Sequence, residues 1–194
     1  MAKKILKTKS KIVAAAWKLF YDQGYEYTTI DEIIAESGTS KGSFYHYFEG
    51  KDALLSSLSY MFDEKYEELN EHLLQDKGSY EILLYLNYEL FQMIEDTVDF
   101  ELLCRLFSTQ LTTKGEKHLL DHNRVYYKLL RRIVAEGKQK EELTEELTVN
   151  EIVKYYALCE RGIMYDWCLG NGEYSLSEYS KKFMPFFLNR IRKV

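Results

Sequence analysis

One proline, Pro185, stands in a chain of 194 residues, with only ten glycines beside it. So few breakers let the backbone run as helix for long stretches, whereas a turn-rich β-fold needs many more interruptions. The apolar residues repeat with the helical period: Ile12, Ala16, Leu19 and Phe20 form one stripe, which Val13 and Trp17 widen. Apolar residues make up 46% of the chain, enough to bury a core. The expected fold class is all-α, with about nine helices. They fall near 8–23, 29–38, 40–50, 51–75, 80–95, 99–111, 117–137, 148–169 and 176–192. Gly24, Gly38 and Gly50 end the first three. Asp99 opens one later helix, Gly137 closes another, and Pro185 predicts a kink or a late start in the last.

The net charge of −5 argues by itself against nucleic acid, but the distribution reverses the argument. Residues 1–20 hold Lys3, Lys4, Lys7, Lys9, Lys11 and Lys18 and no acid. Residues 1–51 carry a net +2, and residues 52–194 a net −7. A basic end on an acidic body suits a local polyanion-binding surface; a solvated tail is the plainer alternative. Three cysteines, Cys104, Cys159 and Cys168, form no CxxC pair, which points to free thiols in a cytoplasmic protein. No leader and no apolar run of roughly 18 residues is evident, so no membrane association is expected.

The chemistry concentrates between residues 29 and 48. Thr29 and Glu32 have the spacing of a capping box at the start of a helix. Ile30, Ile33 and Ile34 give that helix a buried side, and Gly38 ends it. The next helix, from Ser40, turns Phe44 and Phe48 inward and leaves Lys41, Ser43, Tyr45 and His46 to face out. Short helices joined by a tight turn make a helix-turn-helix, in which the first helix braces and the second enters the major groove.

The run Thr28-Thr29-Ile30-Asp31-Glu32-Ile33-Ile34-Ala35-Glu36-Ser37-Gly38-Thr39-Ser40-Lys41-Gly42-Ser43-Phe44-Tyr45-His46-Tyr47-Phe48, followed by Lys51-Asp52-Ala53-Leu54-Leu55, resembles the DNA-binding domain of the TetR family of bacterial repressors. The resemblance covers about residues 8–60. A weaker one, from Arg161-Gly162 to Asp166-Trp167 and Asn171-Gly172, touches the family's penultimate helix. It implies a helix-turn-helix domain at 1–50 and a helical effector-binding and dimerisation domain at 51–194. It also implies a cytoplasmic transcriptional regulator, a repressor released from a palindromic operator by a small molecule. By the same resemblance Thr29 caps and reaches phosphate, and Thr39 and Ser40 open the recognition helix. Lys41 and Ser43 read bases, Gly42 permits close approach, and Tyr45, His46 and Lys51 contact phosphate.

The family reading makes the body a ligand pocket and a dimer seam. Tyr88, Phe91, Tyr126, Tyr127 and Trp167 are candidate apolar lining, with Arg105 and Glu160 as placed polar groups; ordinary core is the competing reading for each aromatic. Aromatic lining with an acidic surplus suits a lipophilic or cationic effector. Val153, Ala157 and Met164, with Tyr179, Phe183 and Phe187, are candidates for a homodimeric four-helix bundle.

Two rivals stand beside this reading. One is an interaction protein that keeps the helix-turn-helix without binding DNA, given Asp31, Glu32, Glu36 and Glu49 near the reading head. The other is a helical metal-binding enzyme using His118 and His122, four apart on one helix face. No third ligand and no catalytic motif accompanies that pair, so no enzyme activity, metal or cofactor is expected.

Overall fold

The computed structural model describes residues 2–73, 76–112, 114 and 117–193, with side chains from Thr8 onward. The described residues form ten α-helices and two 3-10 turns, and no named strand. In chain order these are α1 (Ala2–Gln23), α2 (Ile30–Ser37), α3 (Lys41–Tyr47), α4 (Lys51–Leu55), α5 (Leu58–Glu71), α6 (Ser79–Thr97), α7 (Phe100–Thr112), α8 (Val125–Gln139), α9 (Val149–Leu169) and α10 (Leu176–Leu188). The all-α expectation holds.

The tenth helix arises where the sequence predicts one long helix. The backbone stays right-handed at Ser56 and Ser57, but the ladder tightens there. The Ser56 and Ser57 hydroxyls donate to the carbonyls of Ala53 and Leu54, three residues back, and separate α4 from α5. Serine hydroxyls compete for helix carbonyls in this way. The expected helix at 117–137 is also shorter: residues 118–120 are a 3-10 turn, and α8 starts at Val125. Gly137 is not a stop, since α8 runs on to Gln139. It is a close approach, because a Cβ there meets the Ser79 Cβ at 2.7 Å and Leu143 Cδ1 at 2.8 Å. Pro185 lies inside α10, which continues past it to Leu188.

Capping fixes the helix starts. Thr29 with Glu32 and Thr148 with Glu151 form complete capping boxes at α2 and α9. Glu95 of α6 accepts the N–H groups of Leu176 and Ser177 and so caps α10 from outside. Partial burial raises the Glu95 carboxyl, but the Ser175, Leu176 and Ser177 donors outweigh it and leave it below its ordinary value. One continuous apolar core runs from Ile12 through Phe44, Leu54 and Leu58 into Leu83, Phe91, Leu106, Leu130 and Tyr156.

Candidate nucleic-acid interface and effector cavity

The N-terminal head is assembled from α1, α2 and α3. Phe44 is fully buried and Phe48 nearly so, with ring centroids 5.8 Å apart, and they hold α3 against α1 and α2. Burying one such ring contributes about 1.5–3 kcal/mol. Gly38 sits at φ 60° and ψ 32°, the left-handed conformation that favours glycine, and turns the chain between α2 and α3. Ser40 then caps α3 by accepting the Ser43 N–H at 3.1 Å.

These anchors leave Ser40, Lys41, Gly42, Tyr45 and His46 exposed on one side, with Thr39 and Ser43 half-buried beside them. Among the described residues Lys41 makes an open ion pair to Asp31 at 3.3 Å, with both side chains mostly in solvent. Such a pair contributes about 0–1 kcal/mol and leaves the ammonium free to move. A Cβ at Gly42 meets nothing nearer than Ser40 Oγ at 4.0 Å, so no contact inside the head requires a glycine there. Tyr27, missed in the sequence reading, is the most exposed large apolar side chain on the head, at 81%.

Two of the residues expected to meet phosphate are engaged internally. Thr29 donates both its N–H and its hydroxyl to Glu32 Oε2 at 2.7 Å, which, led by the backbone bond, hold the Glu32 carboxyl below its usual range. Lys51 requires a correction. Its ammonium donates to the carbonyls of Tyr25 at 2.5 Å and Thr28 at 2.9 Å and lies 4.2 Å from the Tyr25 ring centre. It pins the α1–α2 loop instead of pointing outward.

The head is seated on the body through few polar contacts. Trp17 Nε1 donates to Ser57 Oγ at 2.7 Å, and the Tyr21 hydroxyl donates to the Thr97 carbonyl at 2.8 Å. Arg105 of α7 pairs with Glu26 of the head and with Glu101, and its guanidinium lies 4.8 Å from the Tyr25 ring centre. Arg105 is therefore a link to the head and does not line the cavity, contrary to the sequence expectation.

That cavity lies among α5 to α9. Its lining includes Phe62, Tyr66, Phe107, Leu119, Tyr126 and Met164, with Arg124, Glu160 and Arg161 as the charged members. The void is about 30 Å³, room for a water or two and far less than a small-molecule pocket. Of the predicted ligand residues, only Tyr126 and Glu160 line it. Tyr127 packs against Tyr126 at 4.7 Å, and Phe91 is core. Tyr88 faces α10, where it meets Glu178, and Trp167 packs on Phe100 and donates to the Tyr174 carbonyl. None of these four side chains lines the void.

Glu160 is the singular group. Only 2% exposed, it accepts from Tyr126 OH at 2.5 Å, Asn87 Nδ2 at 3.0 Å and Tyr66 OH at 3.4 Å. Burial pushes its carboxyl above the ordinary range, against the downward pull of hydrogen bonds from Tyr126, Asn87, Tyr156 and Tyr66. The same burial raises the Tyr66, Tyr126 and Tyr156 hydroxyls well above theirs.

The dimer candidates divide as well. Val153, Ala157 and Met164 face the chain's own core, and their place on an outward seam is corrected to Leu158, Tyr165 and Leu169, which are 52%, 44% and 66% exposed. On α10, Phe186 and Phe187 are exposed, with Tyr179 and Phe183 half-buried alongside. Tyr155, Leu158, Gly162, Tyr179 and Phe187 line an open groove between the two helices. His118 lies in a 3-10 turn and His122 in the loop after it, so no shared helix face forms, and no metal-binding cluster exists among the described residues. The three cysteines are free. No helix among the described residues is long and apolar enough to cross a membrane.

Residues 12–58 match the family described as bacterial regulatory proteins, tetR family. The HTH-type transcriptional regulator YuxN of Bacillus subtilis (strain 168) is 44% identical over 66 residues, which are 33% of this chain and 23% of that protein. YvdT, another HTH-type transcriptional regulator of the same strain, is 26% identical over 136 residues, 70% of this chain and 69% of its own. The chain spans less than a quarter of the length of the first curated relatives it matches. The crystal structure of Thermus thermophilus FadR, a TetR-family transcriptional repressor in complex with lauroyl-CoA, shares the fold at a TM-score of 0.76 and 21% identity, covering 95% of this chain and 96% of that one. Residues 12–58 thus match the tetR-family model, and the chain as a whole shares the fold of that FadR structure.

Proposed function

We propose that the chain is a cytoplasmic, non-enzymatic transcriptional regulator that binds a palindromic operator as a homodimer and is released by a small-molecule effector. The observation that carries this reading is the α2–turn–α3 unit, whose outer side is polar around a glycine that nothing inside the head requires. A close neighbour outside the molecule is the simplest reason for such a gap, and the DNA groove is that neighbour. Lys41 and Ser43 read base edges; Thr39, Ser40, Tyr45 and His46 set the register on phosphates. Thr29 joins them where Glu32 turns aside, and Lys51 acts at one remove by holding the loop before α2.

In this reading residues 1–50 are the reading head and residues 51–194 the effector and dimerisation body. The exposed apolar faces of α9 and α10 join those of a second copy in a four-helix bundle. A twofold dimer sets two copies of α3 about 34–36 Å apart, one turn of duplex. Phe107 lines the cavity and Arg105, two residues before it on α7, holds Glu26 of the head. An effector that displaces Phe107 shifts α7 and loosens that link, which moves the two heads out of register. The coupling energy for such a switch is typically about 1–3 kcal/mol.

Anisotropy of a labelled duplex against salt tests the DNA-binding step. Affinity should fall steeply between 50 and 200 mM salt, as counterions released from several phosphates require. Absence of binding even at low salt would overturn the reading and favour a protein partner for the acidic side of the head, where Asp31, Glu32, Glu36 and Glu49 are exposed.

A further inference from the structure

At the centre of the body a carboxyl is enclosed by aromatic rings and has no ion-pair partner among the described residues. Glu160 of α9 accepts from α5, α6 and α8. Tyr66 and Asp63 approach from α5, Asn87 from α6, Tyr126 from α8 and Arg124 from the residue before it, while Tyr156, Cys159 and Arg161 share α9 with it. The two guanidiniums that line the void are engaged elsewhere. Arg124 makes a paired contact with Asp63 at 3.0 Å, and Arg161 donates to the Tyr127 hydroxyl at 3.2 Å. Among the described residues Glu160 has hydrogen-bond donors but no ion-pair partner.

A buried carboxylate without a counter-ion is costly, and chains seldom keep one in an otherwise apolar core. Here the group borders a void, and the other walls are suited to its missing partner. The Tyr66 and Tyr126 rings meet at 5.0 Å and 45°, and Phe62 and Phe107 complete an aromatic lining. The faces of such rings attract quaternary and alkyl ammonium groups. An anion in the same place lies against Glu160, so an acyl-phosphate or carboxylate head must stay at the rim near Arg161.

We infer that the cavity takes an organic cation carried on an apolar body, an alkyl- or aryl-ammonium compound, with Glu160 as its counter-ion and Tyr66 and Tyr126 as its aromatic walls. The assignment rests on the reading of the body as an effector domain and names the class of that effector. At about 30 Å³ the void must enlarge to admit it. Met164, whose unbranched side chain repacks readily, and Leu119, carried on a three-residue 3-10 turn, are the side chains placed to move. Because burial favours the protonated carboxyl, cation binding expels a proton from Glu160. Affinity then rises with pH up to the raised titration point and levels off above it.

Calorimetry on the DNA-free protein tests this, with octyltrimethylammonium below its micellar range, octanol and octanoyl-CoA as probes. The native chain should bind the cation at least tenfold more tightly than octanol, and the Glu160→Gln variant should bind the two about equally. The quaternary cation cannot titrate, so its pH dependence belongs to the protein, and the difference from Glu160→Gln removes any contribution of His118 or His122. If that variant does not fold, proton release by the native chain, read in buffers of different ionisation enthalpy, carries the test alone. Preference for octanoyl-CoA, an undiminished cation preference in Glu160→Gln, cation binding that releases no proton to buffer at any pH, or no binding of any probe would each overturn the inference. The regulator reading fails separately, through loss of duplex binding, because no DNA is present in this experiment.

Discussion

In the head, the polar side chains that matter stand outside a helix whose inner side is two phenylalanines; in the body, the polar group that matters is enclosed by three tyrosines and an asparagine. Lys41 keeps its charge in water and gives up only a loose ion pair on meeting a partner. Glu160 has already lost its water, so its protonation state depends on what is bound beside it. The two regions therefore suit different tasks. In the proposed reading the head meets a surface already present in solution, and the body responds to a molecule that must enter and change the electrostatics of the core.

The strongest way to break this comparison is to remove the anchor of the head. Phe44→Ala should cost about 3–5 kcal/mol locally, abolish duplex binding and leave the calorimetric response of the body to its ligand intact. Joint loss of both would mean that the two regions fold as one unit. Next, Leu158→Glu combined with Phe187→Glu should yield monomers in sedimentation. Specific duplex affinity should drop about 10²-fold as the two heads cease to act together. A stable dimer would place the seam elsewhere.

Smaller effects sharpen the division of labour. Lys41→Ala and Ser43→Ala should each flatten base preference at one position of the site by about 1–3 kcal/mol, with little change in melting temperature. Equal weakening on all sequences would reassign them to phosphate. In the body, stability against pH should separate Glu160→Gln from the native chain. The folded-state value of Glu160 lies above the ordinary 4.5, so its contribution is full below that pH and is lost as pH rises through the raised value. The variant should gain on the native chain by up to about 1.4 kcal/mol per pH unit across that window, read by denaturant titration. Parallel curves would show that the carboxyl does not titrate there.

The sequence made the head almost fully legible because its determinants are local. The Thr29–Glu32 spacing, Gly38, Ser40 and the four-residue step from Phe44 to Phe48 each specify geometry within one turn. Lys51 escaped because its partners are carbonyls of a loop 23 to 26 residues earlier, which only the tertiary fold brings near. Helix α9 shows the limit most clearly. It is apolar on two faces, and periodicity does not say which one meets its own core; Val153, Ala157 and Met164 proved inward, Leu158 and Tyr165 outward. Glu160 was legible in kind, as a polar group placed among candidate aromatic lining, whereas its partners Tyr66 and Asn87, 94 and 73 residues away, were not. Arg105 pairs with Glu101 four residues before it, a spacing visible in sequence that pointed to the surface and away from the pocket.

The most direct test of the central claim is selection of bound sequences from a random duplex pool at near-physiological salt, without effector. The account predicts an enriched palindrome whose half-sites are centred one helical turn apart, bound by two copies of the chain. A selected pool with no shared sequence, from protein that binds duplex no better than the Phe44→Ala variant, would contradict it.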